Sequence, residues 1–245
     1  MDFVYICRRG VNEELRYSIR SVVHHFPDAK IWVVGEAPDW YTGNIIPVVQ
    51  NKDKYFNAQR NLLAITDSEE IPENFIYMND DFYIIKPVKE IEFYNGGLFM
   101  TKLRKYSDRV PRSSYTRRLS LTLRNLRRMG FKNPLDYELH IPMPVEKSKL
   151  KRAISYNVLW RSIYGNMNNV GGIETEDVKV YLDLNNNPHS YNFEKGTSPF
   201  LSTEDRAFPH VKGEVLEKLF PHPSPYEKPL GWQDLPRCRT CGHLI

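Results

Sequence analysis

The chain reads as an α/β protein: an open, mostly parallel sheet with helices on both faces, followed by an irregular, partly helical and Pro-rich C-terminal part. Three observations predict this. Short apolar runs, β-branched or aromatic, alternate with amphipathic segments over the first 85 or so residues, the order of a parallel sheet covered by helices. Each run is bounded by Gly, Pro, Asn or Asp, as strands are. The 245 residues, 41% hydrophobic and 13% aromatic, supply enough apolar material for one sizeable core.

Phe3-Val4-Tyr5-Ile6 is the first expected strand, stopped by Arg8-Arg9-Gly10. Asn12 offers an N-cap, with Glu13 and Glu14 in the first turn where the helix dipole favours anions. Leu15, Ile19, Val22 and Val23 then form one apolar stripe, ending before Pro27. Ala29 to Gly35 is a second strand, Pro38-Asp39-Trp40 a turn, and Asn44 to Gln50 a third extended run. Asn57 to Ile65 suits a helix. Phe75-Ile76-Tyr77-Met78 is a fourth strand, running directly into Asn79-Asp80-Asp81-Phe82-Tyr83-Ile84. Further helices are expected at 115–129, 151–164 and 214–220. Pro221, Pro223, Pro225, Pro229 and Pro236 make the end an extended segment that wraps or dangles.

No run approaches the roughly 18 apolar residues of a membrane span, and the N-terminus enters a strand rather than a signal peptide. A soluble, cytoplasmic protein is expected. Three cysteines, with Cys7 far from Cys238 and Cys241, argue against a disulfide framework. Cys238-x-x-Cys241-x-His243 provides three of the four ligands of a structural zinc site; a tail without metal is the alternative.

Charge is uneven. The net charge of +4 conceals a segment, 102–132, with eleven Lys or Arg against Asp108 alone. If 115–129 is helical, Leu119, Leu123 and Leu126 share one face, and Arg117, Arg124 and Arg128 project from the opposite one. A solvated charged face is the plain reading. The density suggests a polyanionic partner, with DNA favoured; anionic membranes or acidic glycans satisfy the same charges.

Ligands of open α/β sheets bind at the carboxyl ends of strands, so Arg8 to Gly10 and Asn79 to Asp81 are expected to open onto one crevice. Adjacent carboxylates repel unless a cation offsets them, and their hard oxygens suit Mg²⁺ or Mn²⁺ bridging to a diphosphate. A solvated turn that binds nothing is the alternative. Arg8, Lys54 and Arg60 are candidates for holding donor phosphates. His140 fits a metal ligand, a catalytic base or a structural role in its Pro-rich loop. Glu204 and Asp205 are candidates for a general base, or else belong to a helix cap.

Four motifs agree with a known pattern: Asn12 to Ser21, Ala37-Pro38-Asp39-Trp40, Phe56-Asn57, and Phe75 to Tyr83. In order and spacing they resemble the first two conserved regions of the Stealth proteins, which include capsule sugar-phosphate transferases. More loosely, the chain is similar to metal-dependent GT-A glycosyltransferases, with their Rossmann-like sheet. The resemblance implies Asp81 as metal ligand, with Asp80 and Asn79 beside it on the metal or the ribose, and a nucleotide-sugar donor, a UDP-sugar first. The first strand departs from the Stealth pattern, ending in Cys7-Arg8-Arg9-Gly10 where a Trp-Val-Asp-Gly-like element stands. Leu139 to Pro144 matches the third region in outline only.

The expectation is therefore a metal-dependent glycosyltransferase acting on a hydroxyl, with hydroxymethylated pyrimidines in DNA as a candidate acceptor. The alternatives are a Stealth-type sugar-1-phosphate transferase acting on a glycan and a non-catalytic nucleic-acid-binding protein. Residues 1–100 would form the nucleotide-sugar half, 101–132 a basic acceptor-facing excursion, 133–236 the acceptor and catalytic half of the same domain, and 237–245 a tail.

Overall fold

The computed structural model describes residues 1–229 except 52, 157 and 191–194. Pro236, Cys238, Cys241 and His243 lie outside the described residues. The central sheet has the order β3 (Asn44–Pro47), β2 (Lys30–Gly35), β1 (Asp2–Cys7), β4 (Asn74–Asn79), β7 (Met143–Glu146). The first four are parallel and β7 closes the edge antiparallel. The chain goes from β1 outward to β2 and β3, then returns to lay β4 on the other side of β1, which puts the topological switch point between β1 and β4.

Residues alternate across the sheet with a period of two. Phe3, Tyr5, Ile31, Val33 and Met78 pack with Leu15, Ile19 and Val22 of α1 (Glu13–His25). Val4, Trp32, Val34, Phe75 and Tyr77 face the other way. There they meet Leu62 and Ile65 of α2 (Lys54–Asp67) and residues of four later helices. At Gly35 a Cβ would stand 2.2 Å from the Cys7 carbonyl, so glycine permits the close approach of β1 and β2 at their carboxyl ends.

The strand expected to run unbroken from Phe75 to Ile84 is two strands in two sheets. β4 ends at Asn79, Asp80 and Asp81 turn the corner, and β5 (Phe82–Ile84) enters a second sheet. Its order is β10 (Pro188–His189), β9 (Lys179–Leu182), β11 (Phe200–Thr203), β5. α1 holds the corner with two buried serines: Ser18 Oγ donates to the Phe82 carbonyl, and Ser21 Oγ accepts from the Ile84 amide at 3.0 Å. These bonds satisfy strand groups that would otherwise be orphaned. A two-residue ladder joins β6 (Tyr94–Asn95) to β8 (Ile173–Glu174).

The basic segment is a helical hairpin seated on the core. It comprises α3 (Phe99–Arg109) and α4 (Ser114–Arg128), with Leu119, Leu123 and Leu126 all at most 5% exposed. Lys102 does not belong to the exposed basic face, because its ammonium is 2.9 Å from buried Asp136. The single helix expected at 151–164 is two, α5 (Lys147–Ile154) and α6 (Trp160–Met167). The break is held by Thr122 Oγ1 of α4, which accepts the Leu159 amide at 3.1 Å where α6 starts. The last helical stretch spans Phe208–Val211, Lys212–Leu216 and Glu217–Leu219, longer than expected. Residues after it wrap back onto α1: buried Glu227 pairs with Arg16 at 2.9 Å and Arg20 at 2.7 Å, and Tyr226 stacks on Tyr41.

Candidate active site

Ile6 of β1 is paired with Asn79 of β4, so Arg8 and the Asp80–Asp81 corner leave the sheet at one edge. Asp80 Oδ2 accepts from Asn12 Nδ2 at 2.8 Å and lies 3.5 Å from Arg8 Nε. Arg8 also pairs with Glu14 at 2.8 Å and Asp205 at 3.1 Å, so it ties together three acids from β1's neighbours in space. Asp81 Oδ2 accepts from Lys179 Nζ at 2.8 Å and Ser202 Oγ at 3.0 Å. Thr203 Oγ1 donates to Glu14 Oε1 at 3.4 Å. β9 and β11 of the second sheet thus supply the groups that hold the acids at the end of the first.

The electrostatics follow from burial and crowding. Burial and the neighbouring Asp81 push Asp80 up. Burial pushes Glu14 up to about 7, with Asp80 and Asp81 adding to it. Burial acts the same way on Asp81, but Lys179 and His140 outweigh it and hold this carboxyl below its ordinary value. Cys7, pushed up to about 12 by burial and Asp80, is an inert thiol. Gly10 has φ +136 and open space around the missing Cβ, so the backbone at the end of β1 is uncovered.

The sequence-derived candidates divide. Asp80, Asp81, Arg8 and Asp205 come together. Arg8 is engaged by carboxylates, so it serves first as an ion-pair hub. Asn79 accepts from the Tyr77 hydroxyl at 2.6 Å. Glu204 takes part through its backbone: its amide donates to Val180, and its carbonyl accepts from Ala207 and Phe208. The alternative that Glu204 and Asp205 belong to a helix cap made by the Ser202-Thr203 pair before them is corrected, because Ser202 and Thr203 lie in β11 and point their hydroxyls at acids of the crevice. Lys54, the first residue of α2 after the N-cap Asp53, is exposed with its ammonium 5.1 Å from the Tyr55 ring centre. Arg60 is exposed and donates to the Val49 carbonyl at 3.0 Å. Among the described residues neither forms an ion pair with the acid cluster. Arg117, Arg124 and Arg128 are exposed on α4, along about 16 Å of helix rather than at one point.

His140 sits with its ring edge-on to Phe82, 6.1 Å between centroids. Asp177 accepts from both its backbone amide, at 2.9 Å, and its Nδ1, at 2.8 Å. A carboxylate can only accept, so Nδ1 carries a proton and Nε2 is the ring nitrogen not held by Asp177. Burial would raise the Asp177 carboxyl, but the bonds and charge of His140 hold it far below the carboxylate range. The segment before His140 is pinned by buried pairs, Asp136 with Lys102 and Glu138 with Arg161 at 3.4 Å. Sequence reasoning missed Asn12, Glu14, Asp177, Lys179, Ser202 and Thr203 as parts of the site. Asn12 and Glu14 are also helix-cap residues, and that role explained them fully.

A divalent cation fits this arrangement. Among the described residues, Glu14, Asp80, Asp81 and Asp205 face only Arg8 and Lys179 within ion-pair distance, a surplus of negative charge that repels a diphosphate arriving without a cation. The side-chain contacts of both aspartates fall on Oδ2. Among the described residues no three His, Cys, Asp or Glu side chains converge as a protein cage would require. Mg²⁺ needs none, since it binds through one or two carboxylates together with phosphate oxygens.

No family model matches the chain, and no curated protein matches it, so the resemblance to the Stealth proteins rests on its motifs. Two solved structures are similar in outline. One is the galactosyltransferase LgtC in complex with donor and acceptor sugar analogs, 11% identical, with a TM-score of 0.43 over 81% of this chain and 79% of that one. The other is an active-site mutant of LgtC, 11% identical, with a TM-score of 0.40 over 71% of this chain and 72% of that one. Both likenesses are distant, and they assign no role to any residue.

Proposed function

We propose that this chain is a metal-dependent glycosyltransferase that moves a sugar from a nucleotide donor, a UDP-sugar first, to a hydroxyl acceptor. The observation that carries the reading is the Asp80–Asp81 corner, with Asp81 buried and Asp80 partly so, at the switch point of a parallel sheet, where such sheets take nucleotides. Asp81 and Asp80 would hold Mg²⁺ or Mn²⁺, which when bound stabilises a departing diphosphate as a Lewis acid. Lys179 and Ser202 keep Asp81 ionised and oriented. Arg8 keeps Asp80, Glu14 and Asp205 in register. His140 is the candidate base, taking the acceptor proton at Nε2 while Asp177 steadies the resulting imidazolium. On charge alone the arginine face of α4 suits any polyanionic acceptor, DNA with hydroxymethylated pyrimidines among them.

A donor screen with Mn²⁺ or Mg²⁺ that identifies the released nucleotide tests the reading. Nucleoside diphosphate is the expected product. Nucleoside monophosphate would replace glycosyl transfer with sugar-1-phosphate transfer. No release from any donor, with DNA bound tightly, would leave a binding protein on a transferase scaffold.

A further inference from the structure

Arg117, Arg124 and Arg128 lie within about 40° of one another around α4, at about 100° per residue. Leu121 falls beside them and is 43% exposed. Next to this face, between α3 and α4, runs a groove of about 520 Å³. Met100, Leu103 and Leu123 are apolar on its wall, and Arg124, Arg127 and Arg128 line its rim. Val110, just past α3, is 45% exposed. Cations and apolar groups therefore share one surface.

Charge does not separate a phosphate backbone from an anionic bilayer, but the apolar residues do. DNA phosphates take cations and polar donors, and a leucine among them adds nothing. A bilayer takes both. Arginine heads bind lipid phosphates while their aliphatic stems and a central leucine enter the acyl boundary. The rest of the chain is net negative, since 102–132 carries eleven positive charges against the single acid Asp108 and the whole chain is only +4. An anionic surface therefore attracts this hairpin and repels the remainder, which fixes the orientation of approach.

We infer that the α3–α4 hairpin docks the protein on an anionic lipid bilayer. Docking is peripheral, as no described helix is long and apolar enough to cross a membrane. α4 begins against the first turn of α2, with Arg118 stacked 3.9 Å over the Tyr55 ring, so the docked helix is joined to the edge of the sheet that carries the acids. If the transferase reading holds, the acceptor is presented at the membrane. The docking stands without that reading.

The test is co-sedimentation of the full chain with phosphatidylcholine vesicles, with and without about 30 mol% phosphatidylglycerol, at about 0.1 M salt. The chain is expected to sediment with the anionic vesicles alone. Arg117→Gln, Arg124→Gln and Arg128→Gln together should weaken partition roughly 100-fold, at about fivefold per cation. Leu121→Ser, which changes no charge and touches an exposed position, should weaken it roughly tenfold. No sedimentation with anionic vesicles overturns the inference. So does a Leu121→Ser variant that binds vesicles like the parent while a DNA duplex of about 30 base pairs binds equally well, because the face would then read charge alone.

Discussion

At the carboxyl edge of the sheet, Asp81 and Lys179 retain 12% and 18% of their side-chain exposure and hold each other at 2.8 Å. On α4, Arg117, Arg124 and Arg128 stand in solvent, and among the described residues none forms an ion pair. In the first region opposite charges are few, close and shielded from water, so each sets the state of its neighbours and removing one strands another. In the second, charges of one sign are separate and hydrated, so their effects add and salt screens them. Density of charge in the sequence says nothing about which regime applies. Lys102 shows this: it belongs to the basic run by position and to the buried regime by its contact with Asp136.

The contrast can be broken by substitution. Asp81→Ala carries the largest expected effect, a fall in nucleotide release of about 10³-fold or more, equivalent to about 4 kcal/mol of transition-state stabilisation. The same change should cost about 3 kcal/mol of stability in urea titrations, since it leaves Lys179 unpaired. Adding Lys179→Met should recover stability and no turnover. Full activity of Asp81→Ala in chelator would remove the acid corner from the mechanism.

Next in size is Asp177→Asn, expected to lower kcat about 10²-fold with KM little changed and to displace the acid limb of the pH–rate profile, the limb a general base governs. Unaltered pH dependence would demote Asp177 to a structural contact of the loop.

A third change concerns the buried pairing outside the crevice. Burial would raise the Glu227 carboxyl, yet Arg20, the Ser224 amide and Arg16 outweigh it and hold it below its ordinary value of 4.5. A depressed folded pKa contributes stability that is complete above the unfolded value and is lost as pH falls through the folded one. Glu227→Gln should therefore cost about 2 kcal/mol near pH 7, with the gap to the parent narrowing below about pH 4. Thermal melts from pH 7 to 3 measure it, and a gap that widens in acid would contradict the sign.

The smallest effect is expected on α4. The triple arginine-to-glutamine variant should change folding stability by less than about 1 kcal/mol. A loss comparable to that of Asp81→Ala would mean the arginines are part of the fold, and the contrast between the regions would fail.

The parallel half of the fold was legible because its strands are continuous apolar runs and its helices carry single stripes. Phe3 to Ile6 and Phe75 to Met78 mark β1 and β4 without any tertiary information. The acid corner was legible for the same reason, since two carboxylates after a buried strand stand out. What lay beyond reach was the second sheet. β9, β10 and β11 are two to four residues long, too short for periodicity to register. Lys179 and Ser202 inherit that silence, reaching Asp81 only through pairings 98 and 121 residues apart. The turn between β4 and β5 was hidden by Phe82-Tyr83-Ile84, which reads as more of the same strand. The break between α5 and α6 depends on Thr122, some 37 residues before the amide it caps.

The wrap of residues 224–228 bears on how the molecule is made. Arg16 and Arg20 in α1 receive their carboxylate from a position 207 to 211 residues later, and Trp40 and Thr42 exchange backbone bonds with Lys228 and Tyr226. Until residues 226–228 are in place, the two guanidiniums of α1 and the aromatic ring of Tyr41 lack these partners. Contacts of such sequence separation slow folding. The helix that covers β1 is thus finished only by a segment 207 to 211 residues further on, and until that segment arrives the half bearing the acid corner stays open to chaperones and proteases.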